Sequence, residues 1–83
     1  MVHVVVVTSP TCHLCEDALD ALAELSKEFQ LEVREVSLES PEGALLLERF
    51  RPPMPPAVIV DGKLFSSGRL PRKKLRRRLE RAA

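Results

Sequence analysis

The chain has no tryptophan, no tyrosine and no asparagine, and only three phenylalanines. With so few aromatic side chains, and none interleaved with the bases that crowd the end of the chain, the sequence argues against a platform on which single-stranded bases could stack. It has no long apolar run either. The stretch Val4 to Val7 is far too short to span a bilayer, and no charged segment followed by an apolar segment and a small-residue cleavage site opens the sequence. The expected location is therefore cytoplasmic, with no membrane partner. Only two cysteines are present, which excludes a framework of several disulfides. Internal repeats and low-complexity tracts are absent as well.

What is present suits one small folded unit. At 83 residues, 45% hydrophobic and 30% charged, the chain reads as a single domain over residues 1–83 with a modest core. The net charge is only +1, but it is split. Residues 1–48 carry ten acids and two bases; residues 49–83 carry eleven bases and two acids. Such asymmetry either marks a binding surface or holds two parts of one fold together.

The β-branched run Val2 to Val7 predicts a strand buried on both faces, hence central in a sheet. Thr8-Ser9-Pro10-Thr11 breaks it. From Cys12 to Phe29, apolar residues at 15, 18, 19, 22, 25 and 29 form one helical stripe. Leu31 to Leu38 predicts a second strand, whose apolar alternation changes phase between Val33 and Val36. Either a bulge or two half-buried faces would explain that slip. Ser40-Pro41 opens a short helix with Ala44, Leu47 and Phe50 on one side. Four prolines between Arg51 and Pro56 require a stiff connection. Ala57 to Val60 and Lys63 to Ser66 form a hairpin across Asp61-Gly62. Pro71 is an early residue of a last helix with Leu75, Leu79 and Ala82 on its apolar stripe. The order β-α-β-α-β-β-α gives an α/β fold, with one parallel crossover pair and one antiparallel hairpin in a mixed four-stranded sheet flanked by helices.

Cys12-His13-Leu14-Cys15 follows a buried strand and opens a helix. A helix N-terminus favours an anion, so a thiolate there is stabilised and becomes nucleophilic. Cys12 is the outer residue, in the first turn of the helix, and should attack a disulfide. Cys15, one turn deeper, should resolve the mixed disulfide. A disulfide three residues apart closes too small a loop to serve as a staple. Metal or iron–sulfur binding through the same pair is the alternative, and it would need further ligands from a dimer, a small thiol or His13. His13 could also support the Cys12 thiolate or simply face solvent. His3 reads as a strand-end residue.

Thr8-Ser9-Pro10-Thr11-Cys12-His13-Leu14-Cys15 resembles the T-x-P-x-C-x-x-C active site of glutaredoxins. Pro56-Ala57-Val58-Ile59-Val60-Asp61-Gly62 is similar to the segment that follows their cis-proline, and Gly68-Arg69-Leu70 with Leu75 and Leu79 resembles the start of the last thioredoxin helix. The resemblance covers nearly the whole chain and is nearest to a small bacterial glutaredoxin-like group with a C-H-L-C-E run. It implies a glutaredoxin-type thioredoxin fold and a thiol–disulfide oxidoreductase with Cys12 and Cys15 as catalytic residues. It also implies substrate contacts at Thr11, His13, Pro55 and Pro56, with Pro56 as the cis residue and Pro55 the alternative. No bound cofactor is implied. Electrons would come from glutathione, thioredoxin reductase or another thiol donor, and the partner would be a protein or small-molecule disulfide taken by a monomer. The chain departs from glutaredoxins in carrying Ser66-Ser67-Gly68-Arg69-Leu70 where they have acids that help bind glutathione. It departs from thioredoxins in lacking the C-G-P-C dipeptide and in having Val6 at the buried aspartate position.

The bases at 69, 72, 73, 74, 76, 77, 78 and 81 crowd the last helix. They form either a solvated face or a site for phosphates or an acidic protein partner, and an interaction protein that uses this helix, with the cysteines incidental, is a further alternative to the redox reading. Nucleic acid is not the expected ligand.

Overall fold

A computed structural model describes residues 1–82. The valine run forms β1 (Val2–Thr8), and its alternation feeds two separate cores. Val4 and Val6 pack with Ala18, Ala21, Leu22 and Leu25 of α1 (His13–Leu25) and with Leu75 and Leu79 of α3 (Arg72–Ala82). Val7, with the half-buried Val5, faces the opposite side, beside Leu46, Leu47 and Phe50 of α2 (Pro41–Phe50). A strand apolar throughout Val4 to Val7 is thus needed because helices cover both faces. Each fully buried valine or leucine contributes roughly 1.5–3 kcal/mol through apolar burial. β3 (Ala57–Val60) is buried at all four positions for the same reason.

The sheet order is β2-β1-β3-β4, completed by β2 (Leu31–Ser37) and β4 (Lys63–Ser67) at the edges. β1 pairs parallel with β2 and antiparallel with β3, which pairs antiparallel with β4. The mixed four-stranded sheet and the seven-element order agree with the sequence reading.

Several details differ from it. α1 ends at Leu25, not at Phe29. There the Ser26 hydroxyl donates to the Ala23 carbonyl at 2.7 Å, and Lys27 and Glu28 tighten into three-residue bonds to Glu24 and Leu25. Phe29 still packs on the core from the following turn. β2 has no bulge, since its register with β1 runs unbroken from Val2↔Leu31 to Thr8↔Ser37. It is an edge strand. Leu31 packs into the α1–α3 core and Leu38, just beyond its end, into the α2 core. The phase slip therefore records two half-covered faces. The bulge lies instead in β4, where the register steps from Val58↔Ser66 to Ile59↔Leu64 and leaves Phe65 unopposed. In α2 the buried face is Gly43, Leu46, Leu47 and Phe50, while Ala44 is exposed. Ala82 is exposed too, so the α3 stripe is Leu75 and Leu79. Pro71 stands one residue before α3, its carbonyl accepting the Leu75 N–H at 3.0 Å.

The uneven charge has a structural use. Arg72 reaches Asp17 at 2.6 Å and Arg76 reaches Glu28 at 2.6 Å, tying α3 to α1 and the turn after it. Arg76 also lies 5.8 Å from the Phe29 ring centroid. Its hydrogen bond to Glu28 raises the guanidinium pKa above its ordinary value. On the other face a forked Arg34–Glu42 pair joins β2 to α2, and that hydrogen bond lowers the Glu42 carboxyl pKa. Exposed pairs of this kind fix orientation more than they stabilise.

α2 closes on Arg51 in the left-handed region, at φ 48° and ψ 51°. A residue with a Cβ holds that conformation at a cost of about 1–2 kcal/mol, which glycine avoids. Arg51→Gly is expected to stabilise the protein by about 0.5–1 kcal/mol, net of the greater freedom glycine has when unfolded. A thermal melt several degrees higher than wild type checks this.

Candidate redox site

One end of the sheet gathers the chemistry. β1 runs out of the core at Thr8, the turn Ser9–Thr11 follows, and Cys12 caps α1. Cys12 has extended backbone angles, φ −108° and ψ 107°, and its carbonyl accepts the Glu16 N–H at 3.2 Å. Its Sγ accepts the Cys15 N–H at 3.1 Å. A sulfur thus takes the role that serine or aspartate oxygen plays at other helix starts. Cys12 is therefore the N-cap and not, as expected, a residue of the first turn.

Cys12 and Cys15 are joined by a disulfide, with 5.2 Å between their Cα atoms. The two sulfurs differ in setting. Cys12 is half-buried, whereas Cys15 is only 3% exposed, on the face of α1 that packs inward. Thr11, just before the pair, has φ +51°. A β-branched residue rarely adopts that angle. Its hydroxyl donates to the Pro10 carbonyl at 2.7 Å.

His13 is the first residue of α1, and its side chain is 98% exposed. Its imidazole lies 4.0 Å from the Glu16 carboxylate. His3 is exposed at the other end of β1, 3.6 Å from Glu32. Among the described residues no group of three or more His, Cys, Asp or Glu could hold a metal ion. A metal on the cysteine pair would need ligands from outside this set.

The Pro55–Pro56 peptide bond is cis. β1 and β3 pair with Val7 opposite Ala57, so Pro56 enters the sheet beside the point where β1 leaves it toward Cys12. Pro56 is buried and Pro55 half-buried. Two contacts that the sequence did not disclose pin this loop. Ser67 Oγ accepts the Met54 N–H at 3.1 Å and donates to the Met54 carbonyl at 2.6 Å. The Gly68 N–H donates to the Pro56 carbonyl at 2.9 Å. Gly68 has φ +82°, and a Cβ there would lie 3.1 Å from the Met54 sulfur. The angle is what calls for glycine, since the neighbouring Met54 side chain is exposed and flexible. Thr11, Cys12, Pro55 and Pro56 thus share one end of the sheet, with His13 on its solvent side.

Among the described residues no helix is long and apolar enough to cross a membrane. No curated protein matches the sequence. Solved structures do. An uncharacterised thioredoxin-like protein from Clostridium perfringens superposes with a TM-score of 0.78 at 16% identity, over 98% of this chain and 70% of that one. Mitochondrial thioredoxin 3 from Saccharomyces cerevisiae, in its oxidised form, gives 0.71 at 14% identity, over 96% and 77%. A thioredoxin from Fasciola hepatica gives 0.70 at 24% identity, over 99% and 81%. At such identities the likeness establishes the fold, which is that of thioredoxin. The model of the glutaredoxin-like domain family (DUF836) matches residues 3–80, and with that match across nearly its whole length the chain belongs to this family.

Proposed function

We propose that this protein is a thiol–disulfide oxidoreductase that cycles between the Cys12–Cys15 disulfide and the dithiol. The observation that carries the reading is the unequal setting of two bonded cysteines at a helix N-terminus, one accessible and one buried. In the dithiol form, the Cys15 N–H and the helix dipole favour a Cys12 thiolate. That thiolate attacks a substrate disulfide, forming a Cys12–substrate bond and expelling one substrate thiolate. Cys15 then attacks Cys12 Sγ, restores the intramolecular disulfide and releases the second thiol. Two electrons pass from protein to substrate. Reduction by a thiol donor such as glutathione, or by a reductase such as thioredoxin reductase, returns the dithiol. No bound cofactor takes part, and the monomer carries the complete pair.

Equilibration in graded thiol–disulfide buffers, followed by alkylation and mass counting of labels, tests this. A reversible two-electron step between roughly −180 and −270 mV is expected, the range of catalytic dithiols. Thiols that never oxidise reversibly, or that accept label only after a chelator is added, would transfer the pair to metal binding.

A further inference from the structure

The loop on which a substrate strand would lie offers it almost no donors. Residues 52–56 read Pro-Pro-Met-Pro-Pro, so Met54 alone carries an N–H, and that N–H is spent on Ser67 Oγ. The Met54 and Pro56 carbonyls are occupied by the Ser67 hydroxyl and the Gly68 N–H. A peptide cannot pair with this loop through reciprocal backbone bonds. Donors are abundant next to it. Gly68 leads directly into Arg69, and an open groove of about 710 Å³ begins there, lined by Asp17, Arg69, Leu70, Pro71, Lys73 and Arg77 among others. Its one acid, Asp17, is already held by Arg72. Arg69, Lys73 and Arg77 have no ion pair among the described residues. Asp17 lies five residues beyond Cys12 on α1, about 7.5 Å along the helix axis. The groove therefore lies along the helix that Cys12 opens, about one and a half turns beyond it. It continues into a smaller recess of about 160 Å³ that shares Arg72 and Lys73 and is floored by Ala21 and Leu25.

We propose that this groove between α1 and the start of α3 seats an acidic segment of a disulfide-bearing protein, so that charge, in place of strand pairing, presents the substrate to Cys12. This rests on the oxidoreductase reading above. The groove is open, with cations from Arg69 to Arg77, and the adjoining recess is lined by Ala21 and Leu25 and also by Glu24. That shape fits a polypeptide carrying several carboxylates better than a small anion, which needs an enclosing site.

Two synthetic peptides, each with one cysteine disulfide-linked to thionitrobenzoate, provide the test. One carries a run of Asp and Glu beside the cysteine and the other carries Gly and Ser. Attack by reduced Cys12 breaks the S–S bond, and the coloured thiolate is released as the protein is oxidised. At low salt the acidic peptide should react at least about tenfold faster, and 0.5 M salt should erase the difference. The variant Arg69→Glu/Lys73→Glu/Arg77→Glu, changed only at exposed positions, should erase it too. Equal rates in the wild type, or an advantage surviving charge reversal, would overturn the proposal. So would glutathione disulfide competing as effectively as the acidic peptide. Anisotropy of a labelled acidic peptide lacking cysteine separates the two readings: salt-sensitive binding by a protein inert toward every disulfide would sustain the groove and remove the redox function, while no binding at low salt would remove the groove alone.

Discussion

Cys12→Ser is expected to reduce disulfide exchange by roughly a thousandfold or more, to the background rate, while leaving the fold intact. The reason lies in the double role of the residue. Its sulfur is both the more accessible end of the disulfide and the acceptor of the Cys15 N–H at 3.1 Å. Serine is among the best residues at such a position, so its hydroxyl takes over the cap while supplying no thiolate. Chemistry and structure are thereby separated in one substitution. Cys15→Ala behaves differently. It removes the resolving thiol from a position only 3% exposed, and alanine avoids burying an unpaired hydroxyl there. The first attack still proceeds, and a Cys12–substrate disulfide accumulates that mass spectrometry detects intact. Turnover surviving in Cys12→Ser, or a trapped adduct on Cys15 in that variant, would reverse the assignment of attacking and resolving thiols.

The unequal cysteines were legible in the sequence because two strong periodic signals meet there. Val2–Val7 is apolar at nearly every position, and from Cys15 onward apolar residues recur at helical spacing. A buried strand running into a helix start leaves little choice about what lies between them. Asp61-Gly62 was equally clear, since both adopt positive φ, 48° and 83°, as a tight hairpin demands. The errors fall where tertiary packing overrides local pattern. Ala44, Leu47 and Phe50 have helical spacing, but the chain turns α2 so that Gly43 meets β2 and Ala44 meets water. Phe29 sits on the α1 stripe and packs on the same core, yet the helix has already ended, because a stripe reports which side chains are buried and not the backbone that delivers them. The β4 bulge left no mark, for Leu64, Phe65, Ser66 and Ser67 alternate too weakly to reveal one extra residue. At the site, the cysteines and prolines announced themselves by type. Ser67 did not, because its role depends on a loop thirteen residues away returning to it. The charge asymmetry was visible as a count, but its division into paired and unpaired bases on α3 required the geometry of α1 beside it.

Gly43→Ala should destabilise the protein by about 2 kcal/mol, although intrinsic helix propensity, worth about 1 kcal/mol in a helix interior, favours alanine in sign. A Cβ at position 43 would overlap the Ser37 carbonyl and lie 2.8 Å from Leu38 Cα, both of them backbone. Neither can withdraw cheaply. The Leu38 N–H donates to the Thr8 carbonyl at 2.8 Å. The Ser37 carbonyl accepts the Ser40 N–H at 3.0 Å and the Ser40 hydroxyl at 2.7 Å. Ser40 Oγ in turn accepts the Gly43 N–H at 3.0 Å and caps α2. The glycine is thus the point where α2 lies directly on the end of β2, and moving the helix outward strains its cap and lifts Leu46, Leu47 and Phe50 from their core. Overpacking of this kind costs about 1–3 kcal/mol and more where only backbone can yield. A domain of this size has a total stability on the order of 4–12 kcal/mol, so the melting temperature should fall by about 10 °C. Urea unfolding of Gly43→Ala beside Ala44→Gly decides the matter by sign. Ala44 is exposed, so its replacement should lose only the propensity difference. If Gly43→Ala were instead the more stable protein, α2 would not rest on β2 through that residue, and the close approach that sets one face of the sheet would have to be made elsewhere.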